Sequence, residues 1–211
     1  MQGASFSILG DSYSTFAGYI PEGNACYYPR PESVDDVLEV QQTWWHILSE
    51  CRNMRLLLNN SYSGATVCTQ VRDTQPKEAS YVERAKMSFA SPDGEQPDYI
   101  FVFGGTNDSW LNRSIGCVQF ENWTQEDLGN VLPAYCFVLD TLTRCYPNTK
   151  IVSVINNELH EDIAEGFAVA GKHYGASSVQ LRNIDKQNGH PSALGMQKIA
   201  QQVGAAIEGR V

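Results

Sequence analysis

Hydrophobic and polar positions along the chain alternate between two kinds of pattern. Residues 5–9, 55–58, 99–103, 151–155 and 179–184 are short apolar runs that stop at turn-forming residues, and each predicts a strand. Between them the apolar spacing changes to that of a helix. Val37, Leu38, Val40, Trp44, Trp45, Ile47 and Leu48 predict an amphipathic helix, opened by a capping box of Ser33 and Asp36. Trp44 and Trp45 are expected to divide, one in the core and one at a surface or interface. Further helices are predicted over 81–90, over 124–144, over 163–173 and over 191–207, the last starting near Pro191 or Ser192. Residues 18–31, rich in Gly, Pro, Asn and Tyr, predict a long surface loop. Strands that alternate with helices imply an α/β fold, a three-layer sandwich whose five-stranded parallel sheet is covered on both faces. The length of 211 residues fits one domain spanning 1–211.

Composition narrows the function. The formal net charge is -9 and no basic run occurs, which disfavours nucleic acid as partner, because phosphate binding needs clustered Lys and Arg. A neutral small molecule such as an ester or a sugar suits this surface better than a polyanion. No stretch reaches the roughly 20 apolar residues of a membrane span. Met1-Gln2-Gly3-Ala4-Ser5 has neither a charged start nor a long apolar core, so a cytoplasmic location is expected, with export after loss of a leader left open. The six cysteines are scattered without a C-x-x-C pair and are expected as small buried or half-buried side chains. His160, Glu161, Asp162 and His173 lie along one predicted helix without H-E-x-x-H spacing, so no metal is expected. No Gly-rich phosphate loop calls for a nucleotide, and no cofactor is expected.

In open parallel sheets ligands bind beyond the carboxyl ends of the strands. The turns after predicted strands one, two, three and five carry Ser12, Gly64, Asn107 and His190. Gly10-Asp11-Ser12 taken alone reads more readily as a helix cap than as a nucleophile turn. Its meaning changes in company. Gly10-Asp11-Ser12, Gly64 after Asn60-Ser61-Tyr62-Ser63, Gly105-Thr106-Asn107-Asp108, and His190-Pro191-Ser192 with Gly195 resemble, in order, the four blocks of the SGNH (GDSL-like) hydrolases. The resemblance runs from residue 10 to residue 195 and implies the flavodoxin-like SGNH fold.

It also implies roles. Ser12 would be the nucleophile and His190 its base, while the Ser12 N–H, the Gly64 N–H and the Asn107 amide would form an oxyanion hole. The family usually places its acid three residues before the histidine, where this chain has Gln187. The expected substitute is Asp185, reached through a loop that Gly189 allows to bulge. The alternative is a backbone carbonyl or Gln187 behind His190, with Asp185 capping a turn. Tyr27 and Tyr28 in the long loop and Trp110 just past Asn107 are the candidate substrate contacts. The function expected is hydrolysis of a short-acyl ester, a carbohydrate O-acetyl group by preference. Lipase, lysophospholipase or thioesterase activity remains the nearest rival, and a flavodoxin-like or glycan-binding module without catalysis the rival outside enzymology.

Overall fold

The computed structural model describes residues 3–209, so Met1 and Gln2, which entered the leader expectation, and residues 210 and 211 lie outside it. Its apolar runs form a parallel sheet of β1 (Ser5–Gly10), β2 (Arg55–Ser61), β3 (Tyr99–Gly104), β4 (Lys150–Ile155) and β5 (Ser177–Gln180), in the order β2-β1-β3-β4-β5. Period-two alternation divides their side chains between two cores. Phe6 and Ile8, Phe101 and Phe103, and Val152 and Val154 face one side, while Ile100, Val102, Ile151 and Ile155 face the other. Helices α1 (Trp44–Arg52) and α6 (Ala193–Ile207) cover the first face. Helices α2 (Tyr81–Arg84), α4 (Val131–Cys145) and α5 (Glu161–His173) cover the second, and a short α3 (Thr106–Trp110) follows β3. The three-layer α/β fold is as expected.

The chain winds outward from β1 to β2 on one side and through β3 to β5 on the other, so the order reverses between β1 and β3. That reversal opens a crevice at the strand ends, because the connections leaving β1 and β3 diverge to opposite faces. Ser12 and Asn107 stand at its two lips.

Several elements differ from their predicted bounds. The fourth helix starts at Val131, after an extended Asn130, with a separate turn at Asp127–Gly129 before it. Pro133 explains the shift: inside a helix running from 124 it would break a backbone bond, whereas in the first turn its missing N–H has no helical partner anyway. Helix α1 starts at Trp44, where the Thr43 hydroxyl caps the His46 N–H and Thr43 itself is extended. Ser33 and Asp36 form no capping box; the Asp36 carboxylate instead accepts from the Ala193 N–H at 2.7 Å. The helix predicted over 81–90 stops at Arg84, and the chain then delivers Phe89 to the core, its N–H donating to the Tyr146 hydroxyl at 2.6 Å. The fifth strand is 177–180 and not 179–184, since Asn183 takes a left-handed φ of 55° that no strand tolerates. Both Trp44 and Trp45 are buried, their indole N–H groups donating to the Ser14 hydroxyl and carbonyl. Of the cysteines only Cys68 and Cys136 are buried; Cys26, Cys51, Cys117 and Cys145 are exposed, and all are free thiols. Among the described residues no helix is long and apolar enough to cross a membrane.

Candidate active site

Strand β1 ends in a tight turn that presents Ser12. The Ser14 N–H donates to the Asp11 carbonyl at 3.1 Å, and the Tyr13 N–H donates to the Asp11 carboxylate at 3.0 Å. Below it, Asn59 on β2 donates its amide to the Ser14 carbonyl at 2.8 Å, which adds to the two tryptophan bonds. The turn is therefore held from two sides, and Ser12 has little freedom. Asp11 is fully buried, with one carboxylate oxygen lacking a hydrogen-bond partner among the described residues, and burial pushes its carboxyl up to about 7.

A buried arginine sets the relation of β1 to β2. The Arg84 guanidinium donates to the Gly10 carbonyl at 3.1 Å, to the Asn60 carbonyl, and to the Ala79 carbonyl at 2.9 Å. It ties together the ends of the two strands from which Ser12 and the Gly64 turn emerge. Sequence reasoning missed Arg84; its only signal was a cation inside an apolar helical stretch.

His190 arrives on a small hairpin of β6 (Lys186–Gln187) and β7 (His190–Pro191). Its two loop residues, Asn188 and Gly189, both have positive φ, 48° and 74°, the signature of a type I′ turn. Asn-Gly is the strongest short hairpin signal a sequence carries, yet Gly189 entered the sequence reading only as a residue permitting a bulge. The turn folds the Asn188 carbonyl back onto His190 Nδ1 at 3.1 Å, and His190 Nε2 lies 2.9 Å from Ser12 Oγ. A carbonyl can only accept, so Nδ1 carries the proton and Nε2 is left with the lone pair facing the serine hydroxyl.

Aromatic rings enclose the imidazole. Tyr27 stacks flat on it at 3.5 Å, while Tyr13 and Trp110 meet it edge-on at 5.4 Å and 5.5 Å. The Tyr13 hydroxyl donates to the Gly189 carbonyl at 2.6 Å and the Tyr28 hydroxyl to the Pro191 carbonyl at 2.7 Å, pinning the hairpin on both sides of His190. Burial moves the imidazole down to about 4, against the smaller opposing pull of the Asn188 carbonyl. The ring is thus neutral across the ordinary pH range.

The structure does not bring Asp185 to His190. The Asp185 carboxylate accepts from the Ser192 hydroxyl, which in turn accepts from the Gly195 N–H at 3.1 Å as the cap of α6. The two-residue hairpin loop explains this, for it reverses the chain between Asp185 and His190 and leaves the carboxylate at the helix start. Gly195 belongs to the same junction: a Cβ there would collide with the Asp185 carbonyl. Gln187 is also turned away, accepting from the Asp36 N–H at 3.1 Å.

On the opposite flank the second and third blocks meet. Gly105, with φ of 92°, breaks β3 into α3, and a Cβ at that position would press on Phe167. Asn107 is buried, and its amide donates to the Ala65 carbonyl at 3.0 Å, directly beside Gly64, whose φ is 81°. Asp108 accepts from the Val67 N–H at 2.8 Å and the Cys68 N–H at 3.3 Å, so the whole loop after β2 hangs on α3. Neither α3 nor this role of Asp108 was legible in the residue pattern.

The candidate substrate contacts separate. Tyr28 is buried and serves as a clamp, which removes it from the substrate-contact set. Tyr27 gives one face to His190 and its hydroxyl to Asp35 at 3.1 Å, with Arg30 over its ring at 5.0 Å, so it supports the imidazole. Trp110 is 42% exposed beside Gly189 and His190 and remains open to a ligand. The residues considered for a metal go elsewhere: His160 Nε2 lies 2.9 Å from the Ser109 carbonyl, and His173 stacks on Phe120 at 3.7 Å.

Comparison with known proteins shows the family and the fold. The model of the GDSL-like lipase/acylhydrolase family matches residues 4–207. The chain is 39% identical to a Bacteroides uniformis protein described as a GDSL-like lipase, with TM-score 0.90, covering 98% of this chain and 96% of that one. A Bacteroides ovatus protein of the same description is 38% identical, with TM-score 0.90 and coverage of 99% and 100%. A family two carbohydrate esterase from Clostridium thermocellum, solved with cellohexaose, shares the fold at TM-score 0.64 and 14% identity, over 98% of this chain and 64% of that one. No curated protein matches.

Proposed function

The chain belongs to the GDSL-like lipase/acylhydrolase family, and from that premise we propose that it is a serine esterase which removes short acyl groups, acetyl above all, from a carbohydrate alcohol. The observation that carries the reading is the Ser12 Oγ to His190 Nε2 contact of 2.9 Å, with Nδ1 held on the Asn188 carbonyl. In this reading His190 takes the Ser12 proton as Oγ attacks the acyl carbon, then returns it to the departing sugar oxygen. The negative charge that develops on the carbonyl oxygen is met by the Ser12 and Gly64 N–H groups and the Asn107 amide. Asn107 has a proton to give, because one amide hydrogen serves the Ala65 carbonyl and the other is left for the oxyanion.

The partner behind His190 is a neutral carbonyl. It selects the tautomer and the ring orientation but offers no charge to the imidazolium, so catalysis here is that of a Ser–His dyad in an aromatic cage. Exposed Trp110 beside His190 suits the flat face of a sugar in the leaving-group position, and the polar flank at Gly64 suits a short acyl group. A carbohydrate esterase from Clostridium thermocellum that shares the fold was solved in complex with cellohexaose.

Two measurements test the reading together. A fluorophosphonate should label wild type and leave Ser12→Ala unlabelled, and an ester panel graded by acyl length should fall steeply beyond butyryl. An unlabelled wild type sinks the esterase reading, and a preference for long chains sinks its short-acyl part.

A further inference from the structure

The loop after β2 brings a cation to the acyl side of the site. Arg72 is half-buried, and its guanidinium lies 3.4 Å from the Asn107 side-chain oxygen. Its Nε is 3.5 Å from where a Cβ on Gly64 would sit, so the same group borders both residues of the proposed oxyanion hole. In a protein of net charge -9, Arg72 forms no ion pair among the described residues. A half-buried arginine that pairs with no carboxylate is left with donors to spend on a ligand.

Its position is built. The Gln75 N–H donates to the Arg72 carbonyl at 2.9 Å, closing a turn, and the Gln75 side-chain amide donates to the Ser63 carbonyl at 2.9 Å. The turn is thereby stapled to the residue before Gly64. From the other side Arg113 donates to the Val71 carbonyl at 2.9 Å, and Asp108 holds Val67 and Cys68 as described. The guanidinium therefore rides on a loop anchored at three points.

The flank it occupies follows from the chemistry. The departing alcohol must lie within reach of His190, which receives and returns the proton, so the alcohol occupies the side of Tyr27 and Trp110. The carbonyl oxygen and the acyl substituent then face the side of Gly64 and Asn107, where Arg72 waits.

We propose that Arg72 is the acyl-side specificity residue, and that it favours an ester whose acyl group is small or ends in a carboxylate over one ending in an alkyl chain. This rests on the esterase reading above. A carboxylate two methylenes beyond the ester carbonyl would satisfy the spare donors of the guanidinium as a charge-assisted pair. An alkyl chain in the same space would strip water from an unpaired cation and give nothing back.

The test uses two esters with the same alcohol and nearly the same length, monoethyl succinate and ethyl pentanoate, with kcat/KM measured by pH-stat. Both esters share the oxyanion donors, so any disturbance of Asn107 by the substitution cancels in their ratio. Arg72→Gln is expected to lower the succinate-to-pentanoate ratio at least tenfold, and Arg72→Lys, which keeps the charge, to retain most of it. A ratio within twofold of wild type in Arg72→Gln overturns the proposal. If Arg72→Gln does not fold, wild type alone decides: raising the salt concentration should lower the ratio by screening the pair, and a ratio flat in salt overturns it. Fluorophosphonate labelling of wild type at Ser12 keeps the two claims apart. Labelling with an unchanged ratio removes the Arg72 role only, whereas no labelling and no hydrolysis of either ester removes the esterase reading and this inference with it.

Discussion

Asp185→Asn separates a dyad from a triad in one substitution. The carboxylate accepts from the Ser192 hydroxyl at the start of α6, while the His190 imidazole rests on the Asn188 carbonyl 3.1 Å from Nδ1. Asparagine keeps an acceptor oxygen in nearly the same place and loses only the charge. Asp185 is exposed, so water screens that charge, and its hydrogen bond is worth about 0.5–1 kcal/mol. A carboxylate near the first turn of α6 adds a few tenths through the helix dipole, or roughly 0.3 kcal/mol. The sum corresponds to a melting temperature lower by about 2–4 °C in a chain of this size. Turnover, by contrast, should stay within about threefold of wild type, because no bond to His190 is touched. Losing the orienting acid of a true triad slows turnover by a factor on the order of 10⁴. Steady-state kinetics on 4-nitrophenyl acetate alongside a circular-dichroism melt read both quantities. A thousandfold or greater loss of turnover with the melting temperature nearly unmoved would refute the reasoning and restore Asp185 as the acid.

Gly189→Ala should do what Asp185→Asn does not. With φ at 74° and Trp110 3.1 Å from the added Cβ, it strains the turn that aims the Asn188 carbonyl, and kcat should fall at least tenfold while the far-ultraviolet spectrum stays native; undiminished activity would count against carbonyl support. Because burial lowers His190 to about 4, the acid limb of kcat/KM should bend near pH 4, and a limb near the ordinary imidazole value would show that the free enzyme's base is not desolvated. His190 also binds its proton more weakly folded than unfolded, so its contribution to stability is lost as pH falls from about 6.5 toward about 4. Asp11 has the opposite sign: its carboxyl is raised to about 7, so wild type loses stability as pH rises from about 4 through 7. Asp11→Asn removes that loss, and its melting-temperature advantage should grow from pH 5 to pH 8; an advantage independent of pH would mean the carboxyl is not held protonated.

Local pattern by itself determined the class of fold, and the resemblance of four short motifs to a known family pointed to Ser12, Asn107 and His190 as candidates. Alternating apolar runs and helical stripes require strands and helices wherever they occur, because each buries a face at a fixed period, and parallel strands then put their turns on one edge. The tertiary structure decided everything that depends on groups far apart in the chain. Pro133 moved the start of α4, and Arg84 joined the ends of β1 and β2 through carbonyls that no residue type announces. Tyr27 lies flat on the His190 imidazole and not in the place of a substrate contact, and Arg72 comes to the Asn107 amide from 35 positions away. The acid of the supposed triad shows the division most clearly. Spacing along the chain points Asp185 at His190, but a hairpin reverses direction within two residues, and backbone geometry gives the place behind the imidazole to the nearest carbonyl.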